Sequence, residues 1–486
     1  MQGTSGVLTT SANQRRGFLS KIAALGLSTG LMAGFVLAAG GGSWLAVGIL
    51  GLMVVVVTVA RPDLAVAALI FFLPLVGSFD IVSASGLPDI TVGRALVLWS
   101  AVVVANAIRL QSRQPGPHPS RELMPDVARN SLPAWVGAFL VIMLLAGLRS
   151  SSLHAGLQDW LDEYLLPFGL LLLFCRYRWT QRETDLVVTA YLLCCCLWSA
   201  LALVEFLENR SFFTAGGALP WGSVGPFGRT RGPFINPAFM GTAVGIGLVL
   251  AWVWAAGRGA SPRMTLVWLV SLPMCVIGLA VSLTRASWLG ALAGIVVISV
   301  LAGRRRAVMT LLLLAGLGIG ILLVVSFVGA TVFQSRTDSM SEVFNRVVVQ
   351  RSALNIIADN PLIGIGSGNF ASVSRRDLQN VGSISGSYGI GVSVPHNSIL
   401  GTTVDGGLGA TVSVLVVVGL LVAAARRRLA NREERYLGIA ALGCIVVVAV
   451  NAMFIDMAIG SQVTILAVAM VSILLATSGS HEMGER

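Results

Sequence analysis

Lysine is almost missing from this sequence. Lys21 is the only one, so 32 of the 33 basic residues are arginine. Charge of either sign is scarce, at 11% of 486 residues against roughly 25% in an ordinary soluble domain. That scarcity excludes a soluble enzyme and a disordered chain. Cysteine is sparse too, and all six (Cys175, Cys194, Cys195, Cys196, Cys275 and Cys444) fall inside apolar runs. Three are consecutive and so point around a helix rather than toward one ion. They read as small buried hydrophobes, with neither a disulfide framework nor a zinc site. The first apolar run, from Ile22, has no clear small-residue cleavage site and precedes many more, so no cleavable leader is expected.

What the chain does have is apolar length. Apolar residues make up 55% of it, and mean hydropathy is +0.84. Candidate spans fall near 22–38, 44–60, 64–79, 92–110, 133–148, 161–175, 184–206, 237–256, 265–283, 287–302, 307–328, 398–425, 436–455 and 460–476. Many approach the length that crosses a bilayer. The pairs around Gly40 and Arg285 leave open whether each is one helix or two.

Lys and Arg near span ends stay cytoplasmic. Arg15, Arg16 and Lys21 precede the first span, and Arg113, Arg121 and Arg129 follow the fourth. Arg176, Arg178 and Arg182 follow the sixth, and Arg258 and Arg263 the eighth. Arg304, Arg305 and Arg306 follow the tenth; Arg426, Arg427, Arg428, Arg432 and Arg435 follow the twelfth. Threading fourteen spans puts every cluster on one side, with both termini cytoplasmic. This accounts for most of the formal charge of +11 and removes nucleic acid as a partner. The expected organisation is a cytoplasmic tail (1–21), an N-terminal membrane bundle (22–329), an extracytoplasmic loop (330–395), C-terminal helices (396–476) and a cytoplasmic tail (477–486). The remaining arginines concentrate on the outer side, in 207–236, at Arg285 and in 330–395, where topology gives no reason for them.

The long outer loop has internal order. Ser339-Met340-Ser341-Glu342 is a capping-box pattern, and a helix is expected from Val343 to Ala358 with Val343, Val347, Leu354 and Ile357 on one stripe. Asp359-Asn360-Pro361 ends it, since the residue before proline avoids helical backbone. Gly364-Ile365-Gly366-Ser367-Gly368 follows, then a polar Gly/Ser stretch at 382–391, and the loop closes at Pro395-His396-Asn397-Ser398. The glycines follow a helix rather than a strand and so do not read as a dinucleotide loop.

Of four histidines, His118, His154 and His481 read as solvated, whereas His396 stands at the outer end of a span beside the unexplained arginines. With one well-placed outer histidine, and with Asp338, Glu342, Asp359 and Asp377 scattered, no metal site is expected. Arginine plus histidine suits a different task. Guanidinium grips phosphate oxygens bidentately at any working pH, and an imidazole with an ordinary value near 6.5 can take a proton from a hydroxyl.

The stretch from Asn345-Arg346-Val347 through Ala358-Asp359-Asn360-Pro361-Leu362-Ile363-Gly364-Ile365-Gly366-Ser367-Gly368-Asn369-Phe370 resembles the signature loop of the O-antigen ligase superfamily. Pro395-His396-Asn397-Ser398 followed by Gly406-Gly407-Leu408-Gly409 resembles its histidine-plus-glycine motif. Arg231-Gly232-Pro233-Phe234-Ile235-Asn236-Pro237 and Ser282-Leu283-Thr284-Arg285-Ala286-Ser287 are similar to two upstream segments, so the likeness covers about residues 220–420. The resemblance implies an all-α polytopic, GT-C-like membrane fold, of about twelve spans against the fourteen counted here. It implies a glycosyltransferase without metal or cofactor, taking a polyprenyl-diphosphate-linked glycan on the outer face of the plasma membrane. The acceptor would be a glycan, lipid or protein hydroxyl. It further implies His396 as the base and Arg285 and Arg346 as diphosphate ligands, with Arg231 or Arg229 assisting. A repeat-unit polymerase of the same superfamily is the alternative. A lipid-linked glycan transporter should show repeated halves and midplane charges, and a purely lipid-binding protein would use the outer arginines alone.

Overall fold

A computed structural model of the chain describes residues 61–76, 80–82, 90–112, 126–208, 210–211, 222–223, 229–257, 262–303, 340–380, 394–457 and 461–478, with isolated positions at 308, 315, 318 and 319. The described residues are almost entirely helical. In chain order they form α1 (Pro62–Val76), α2 (Val92–Gln111), α3 (Asp126–Leu148), α4 (Leu153–Asp159), a π-helical turn (Trp160–Leu165), α5 (Leu166–Arg176), α6 (Gln181–Glu208), α7 (Pro237–Gly257), α8 (Pro262–Ser282) and α9 (Arg285–Ala302). Then come α10 (Met340–Asp359), α11 (Phe370–Asn380), α12 (Ser398–Ala430), α13 (Arg435–Ala452) and α14 (Ser461–Ala476). Two short antiparallel pairs, β1 (Asp80–Val82) with β2 (Ile90–Thr91) and β3 (Arg210–Ser211) with β4 (Gly222–Ser223), sit between helices. Eight described helices are long and apolar enough to cross a membrane, and 62–75 and 462–476 are shorter apolar helices. The chain is an all-α polytopic membrane protein. Expected spans at 22–38, 44–60 and 307–328 lie outside the described residues, as do the capping-box serine Ser339 and the stretch 382–391.

α7 is the central helix, buried from Ala238 through Trp254 and packed against α6, α8, α9, α13 and α14. Small residues let helices approach where no hydrophobic force separates protein from lipid. On α9, a Cβ at Gly290 would overlap the Asn451 side chain, and one at Gly294 would lie 2.8 Å from Val447 Cγ2 on α13. The pair around Arg285 resolves as two helices. Leu283 takes φ +47°, and the chain reverses there between α8 and α9.

Among the described residues, the arginine-rich connections 176–182 and 426–435 meet the ends of α2, α9 and α14 at one end of the bundle. Gln111 Nε2 donates to Arg178 O while Arg178 N donates to Gln111 Oε1, both at 3.2 Å, tying α2 to the α5–α6 connection. Arg428, buried, donates from Nη2 to Leu475 O at 2.7 Å and Thr477 O at 2.8 Å, satisfying carbonyls at the end of α14. Arg435 Nη2 donates to Leu301 O at 2.7 Å at the end of α9. The opposite end carries the start of α9, the helices α10 and α11, and the start of α12.

α10 begins and ends close to expectation, stopping at Asp359 before Asn360-Pro361. Its packed face meets the expected stripe only at Ile357, which packs half-buried against the buried cluster. Val347 and Leu354 are exposed, and Val349, Ala353 and Ile356 are buried with Phe370 and Val404. The stripe chosen from periodicity is the more apolar side by composition, but α12 and α11 pack on the side of smaller residues. α11 was not anticipated.

Candidate functional site

At the α8–α9 reversal, residues 229–232 lie along the end of α8. Thr230 N and Thr230 Oγ1 both donate to Val281 O, at 3.4 and 3.0 Å. Arg229 Nη2 donates to Thr284 Oγ1 at 2.9 Å, and Arg285, exposed, is the next residue and the first of α9. Arg229 and Arg285 therefore flank Thr284. Arg231 is half-buried, and its backbone is held from the other side. Glu205, fully buried near the end of α6, accepts Arg231 N at 3.2 Å and Gly232 N at 2.9 Å through Oε2. In the sequence Glu205 is only a charge near a span end, and no local signal ties it to residues 26 and 27 positions away. Replacing Glu205 by alanine leaves two main-chain donors without that acceptor, each worth roughly 1–3 kcal/mol if left unsatisfied. The expected result is a lower thermal aggregation midpoint of purified protein. An unchanged midpoint would show that this strap does not depend on the carboxylate.

A second group forms around the turn 453–457 after α13. Asn397 caps α12, its Oδ1 accepting Ile399 N at 2.9 Å and Leu400 N at 3.1 Å. The same side chain donates from Nδ2 to Met453 O at 3.1 Å. Ser398 Oγ donates to Ile455 O at 3.0 Å and accepts Met457 N at 2.8 Å. From α10, Arg346 Nη1 reaches Phe454 O at 3.5 Å. The turn is joined to α9 as well: Ser287 Oγ donates to Asn451 Oδ1 at 3.1 Å, and Asn451 O accepts Phe454 N and Ile455 N. One short turn thus receives Arg346 of α10 directly, the start of α12 through Asn397 and Ser398 just after His396, and, by way of Asn451, Ser287 of α9 two residues after Arg285.

His396 immediately precedes the cap. It is half-buried and takes φ +53°, one of two described non-glycine residues with positive φ. That conformation costs a non-glycine residue about 1–2 kcal/mol, and such strain concentrates at functional sites. Burial, and then the nearby positive charge of Arg346, hold His396 below its ordinary value of 6.5. The imidazole is therefore neutral at neutral pH and free to accept a proton.

The glycine-rich loop after α10 adds a second tie between α10, which carries Arg346, and α12. α12 is broken within its length: Gly407 takes φ 75°, ψ −174°. The break frees backbone groups, and the loop supplies their partners. Ile365 N donates to Val404 O at 2.8 Å, Gly366 N to Asp405 O at 3.0 Å, and Leu408 N to Pro361 O at 2.8 Å. Gly364, at φ +61°, passes so close that a Cβ would lie 2.5 Å from Asp405 O. Val349, Ala353, Ile356 and Phe370 then pack on Val404.

The remaining candidates stand apart. His154 is half-buried at the start of α4 rather than solvated in a loop, because residues 153–159 are helical. His118 and His481 lie outside the described residues. Two further arginines of the segment 330–395, Arg351 on α10 and Arg375 on α11, are exposed. Among the described residues no three of His, Cys, Asp and Glu gather within reach of one ion, and all six cysteines are free thiols.

No curated protein matches the chain. Residues 269–415 match the family model described as O-antigen ligase. The matched segment starts within α8, ends within α12 and contains Arg285, Arg346, His396, the glycine-rich loop and the α12 break. Arg229, Arg231 and Glu205 fall before it. This match over residues 269–415 supports a likeness to the O-antigen ligase superfamily in that part of the chain.

Proposed function

We propose that this protein transfers a glycan from a polyprenyl-diphosphate carrier to an acceptor hydroxyl on the outer face of the plasma membrane. The family match supports a glycosyltransferase role in surface polysaccharide synthesis. The observation that carries the finer reading is geometric: within the matched domain the 453–457 turn receives Arg346 of α10 and the residues that directly follow His396. The outer placement rests on the described arginine-rich connections 176–182 and 426–435: they lie at the opposite end of the bundle, and such ends stay cytoplasmic.

His396 takes the proton of the acceptor hydroxyl as its oxygen forms the new bond to the anomeric carbon. The bond from that carbon to the carrier diphosphate breaks with inversion, and the electron pair leaves with the diphosphate. Arg285 and Arg346 meet the growing negative charge, which is the interaction that strengthens most in the transition state, and Arg229, bonded to Thr284 next to Arg285, assists, with Arg231 two residues further on. The proton then passes from the imidazolium to solvent.

The test is a strain lacking the native copy, compared with the same strain carrying the gene. Full-length glycan stranded on the prenyl carrier identifies a ligase, and single repeat units at the surface identify a polymerase. Unchanged surface glycan and an unchanged carrier-linked pool would overturn the proposal. Transfer in detergent-permeabilised membranes is expected to persist in excess chelator. Strict dependence on an added divalent cation would refute diphosphate capture by arginine alone.

A further inference from the structure

One arginine near the same end of the bundle has no part in this chemistry. Arg149 follows α3 directly, and its guanidinium forks onto the glycine-rich loop: Nη1 donates to Ile363 O at 2.8 Å and Nη2 to Gly364 O at 3.0 Å. The loop answers with Asn369. Its Nδ2 donates to Arg149 O at 3.0 Å and to Ile365 O at 2.9 Å, and its Oδ1 accepts Ser151 N at 3.1 Å. Ser367 N adds a bond to Ala146 O at 3.1 Å. Each segment thus grips the main chain of the other with a side chain. Two successive carbonyls met by one guanidinium use its fixed fork, which the single ammonium of lysine does not offer.

The gripped carbonyls of Ile363 and Gly364 immediately precede the amides of Ile365 and Gly366 that dock on α12. The loop is therefore held on one side by the α12 break and on the other by the end of α3. α10, carrying Arg346, runs straight into this loop. The half-helix 398–405, with His396 just before it, ends where the loop docks. A slip of the loop moves one of these side chains relative to the other.

We propose that Arg149 and Asn369 are positioning residues for glycan transfer, their reciprocal clamp setting the placement of the Arg346 guanidinium against the His396 imidazole. The inference rests on the reading of His396 as base and Arg346 as diphosphate ligand. Arg149 itself lies outside the segment that matches the family.

The experiment uses the full chain with Arg149→Lys, Arg149→Gln and Asn369→Ala. Hydrogen exchange in lipid nanodiscs reads the clamp, and transfer of accumulated carrier-linked glycan in permeabilised membranes reads its consequence. Amides of peptides spanning 360–369 are expected to exchange about tenfold faster in the variants. The rate at saturating donor should fall roughly 10- to 100-fold, because small misplacements of reacting groups cost that much, with the half-saturating donor concentration nearly unchanged. The acid midpoint of the rate profile should rise toward 6.5 as the charge of Arg346 draws away. Among the described residues that is the charge acting on His396; Asp405 on α12 and Asp456 in the turn act instead on Glu163. Arg149→Lys is expected to lie between wild type and Arg149→Gln. Faster exchange with unchanged rate and midpoint would overturn positioning, and unchanged exchange would overturn the clamp itself. If Arg149→Gln fails to fold, wild-type rate and midpoint in Arg149→Lys would do the same. Full transfer by His396→Ala would instead sink the catalytic reading, while the exchange data still report on the clamp.

Discussion

Replacing His396 by alanine is expected to slow glycan transfer by roughly 10²- to 10⁴-fold, the usual contribution of a positioned general base. The backbone of His396 complicates a simple reading, since φ +53° is unfavourable for alanine and histidine alike. Asparagine tolerates that conformation better than most residues and cannot act as the base. His396→Asn is therefore the cleaner variant: it should fold at least as well as wild type and transfer as poorly as His396→Ala. Equal folding with more than a tenth of wild-type transfer would remove His396 from the mechanism. The pH dependence supplies a separate check. Burial and Arg346 hold the imidazole below 6.5, so the active neutral form persists to lower pH than a free histidine would allow. The acid limb of the rate profile should have its midpoint below 6.5. Arg346→Met removes the positive charge and should move that midpoint up, part of the way back, while lowering the rate through the lost diphosphate contact. The same shift makes folding stability decline as pH drops below 6.5, because the unfolded chain then binds a proton that the folded chain resists.

Gly407→Ala is the substitution expected to do most damage to the fold. With φ 75° and ψ −174°, Gly407 occupies a region essentially restricted to glycine, at a cost of about 1–3 kcal/mol for another residue. The space is closed as well. A Cβ there would overlap the Leu362 carbonyl and lie 2.7 Å from Ile363 N, and both are main-chain atoms that cannot rotate away. Either the α12 break straightens or the loop leaves it, and each loses the bonds from Ile365 N, Gly366 N and Leu408 N. A total loss of more than about 3 kcal/mol is expected from strain and these lost bonds together. It would be seen as poor accumulation, a lower thermal aggregation midpoint and loss of transfer. Gly409→Ala is the control two residues on. It sits in ordinary helix with its nearest neighbour, Ile142 Cδ1, 3.5 Å from a new Cβ, and alanine favours helix over glycine. If Gly407→Ala behaves like Gly409→Ala, the docked loop is not what shapes this end of the molecule.

Much of this protein was legible in the sequence because its environment imposes period and composition. Long apolar runs must become helices that satisfy their own backbone, and arginine-rich connections must share a side. Asn360-Pro361 must end a helix. A histidine beside arginines that topology does not explain was readable for the same reason. The arrangement around those residues was not readable, because it is built from single contacts between distant positions. Glu205 holds the amides of 231 and 232, Asn451 links α9 to the turn, and Arg149 grips carbonyls 214 and 215 residues away. None of these leaves a periodic signal. The packed face of α10 was misjudged because an apolar stripe marks burial only where the alternative is water, and near a bilayer that rule loses its force. Sequence by itself determined the class of molecule, the helices and the chemistry on offer. Only the tertiary structure decided which groups meet, since a broken helix and a glycine-rich loop satisfy each other's backbone across roughly 40 residues of chain, and hydrogen bonds at that range depend on geometry rather than on order.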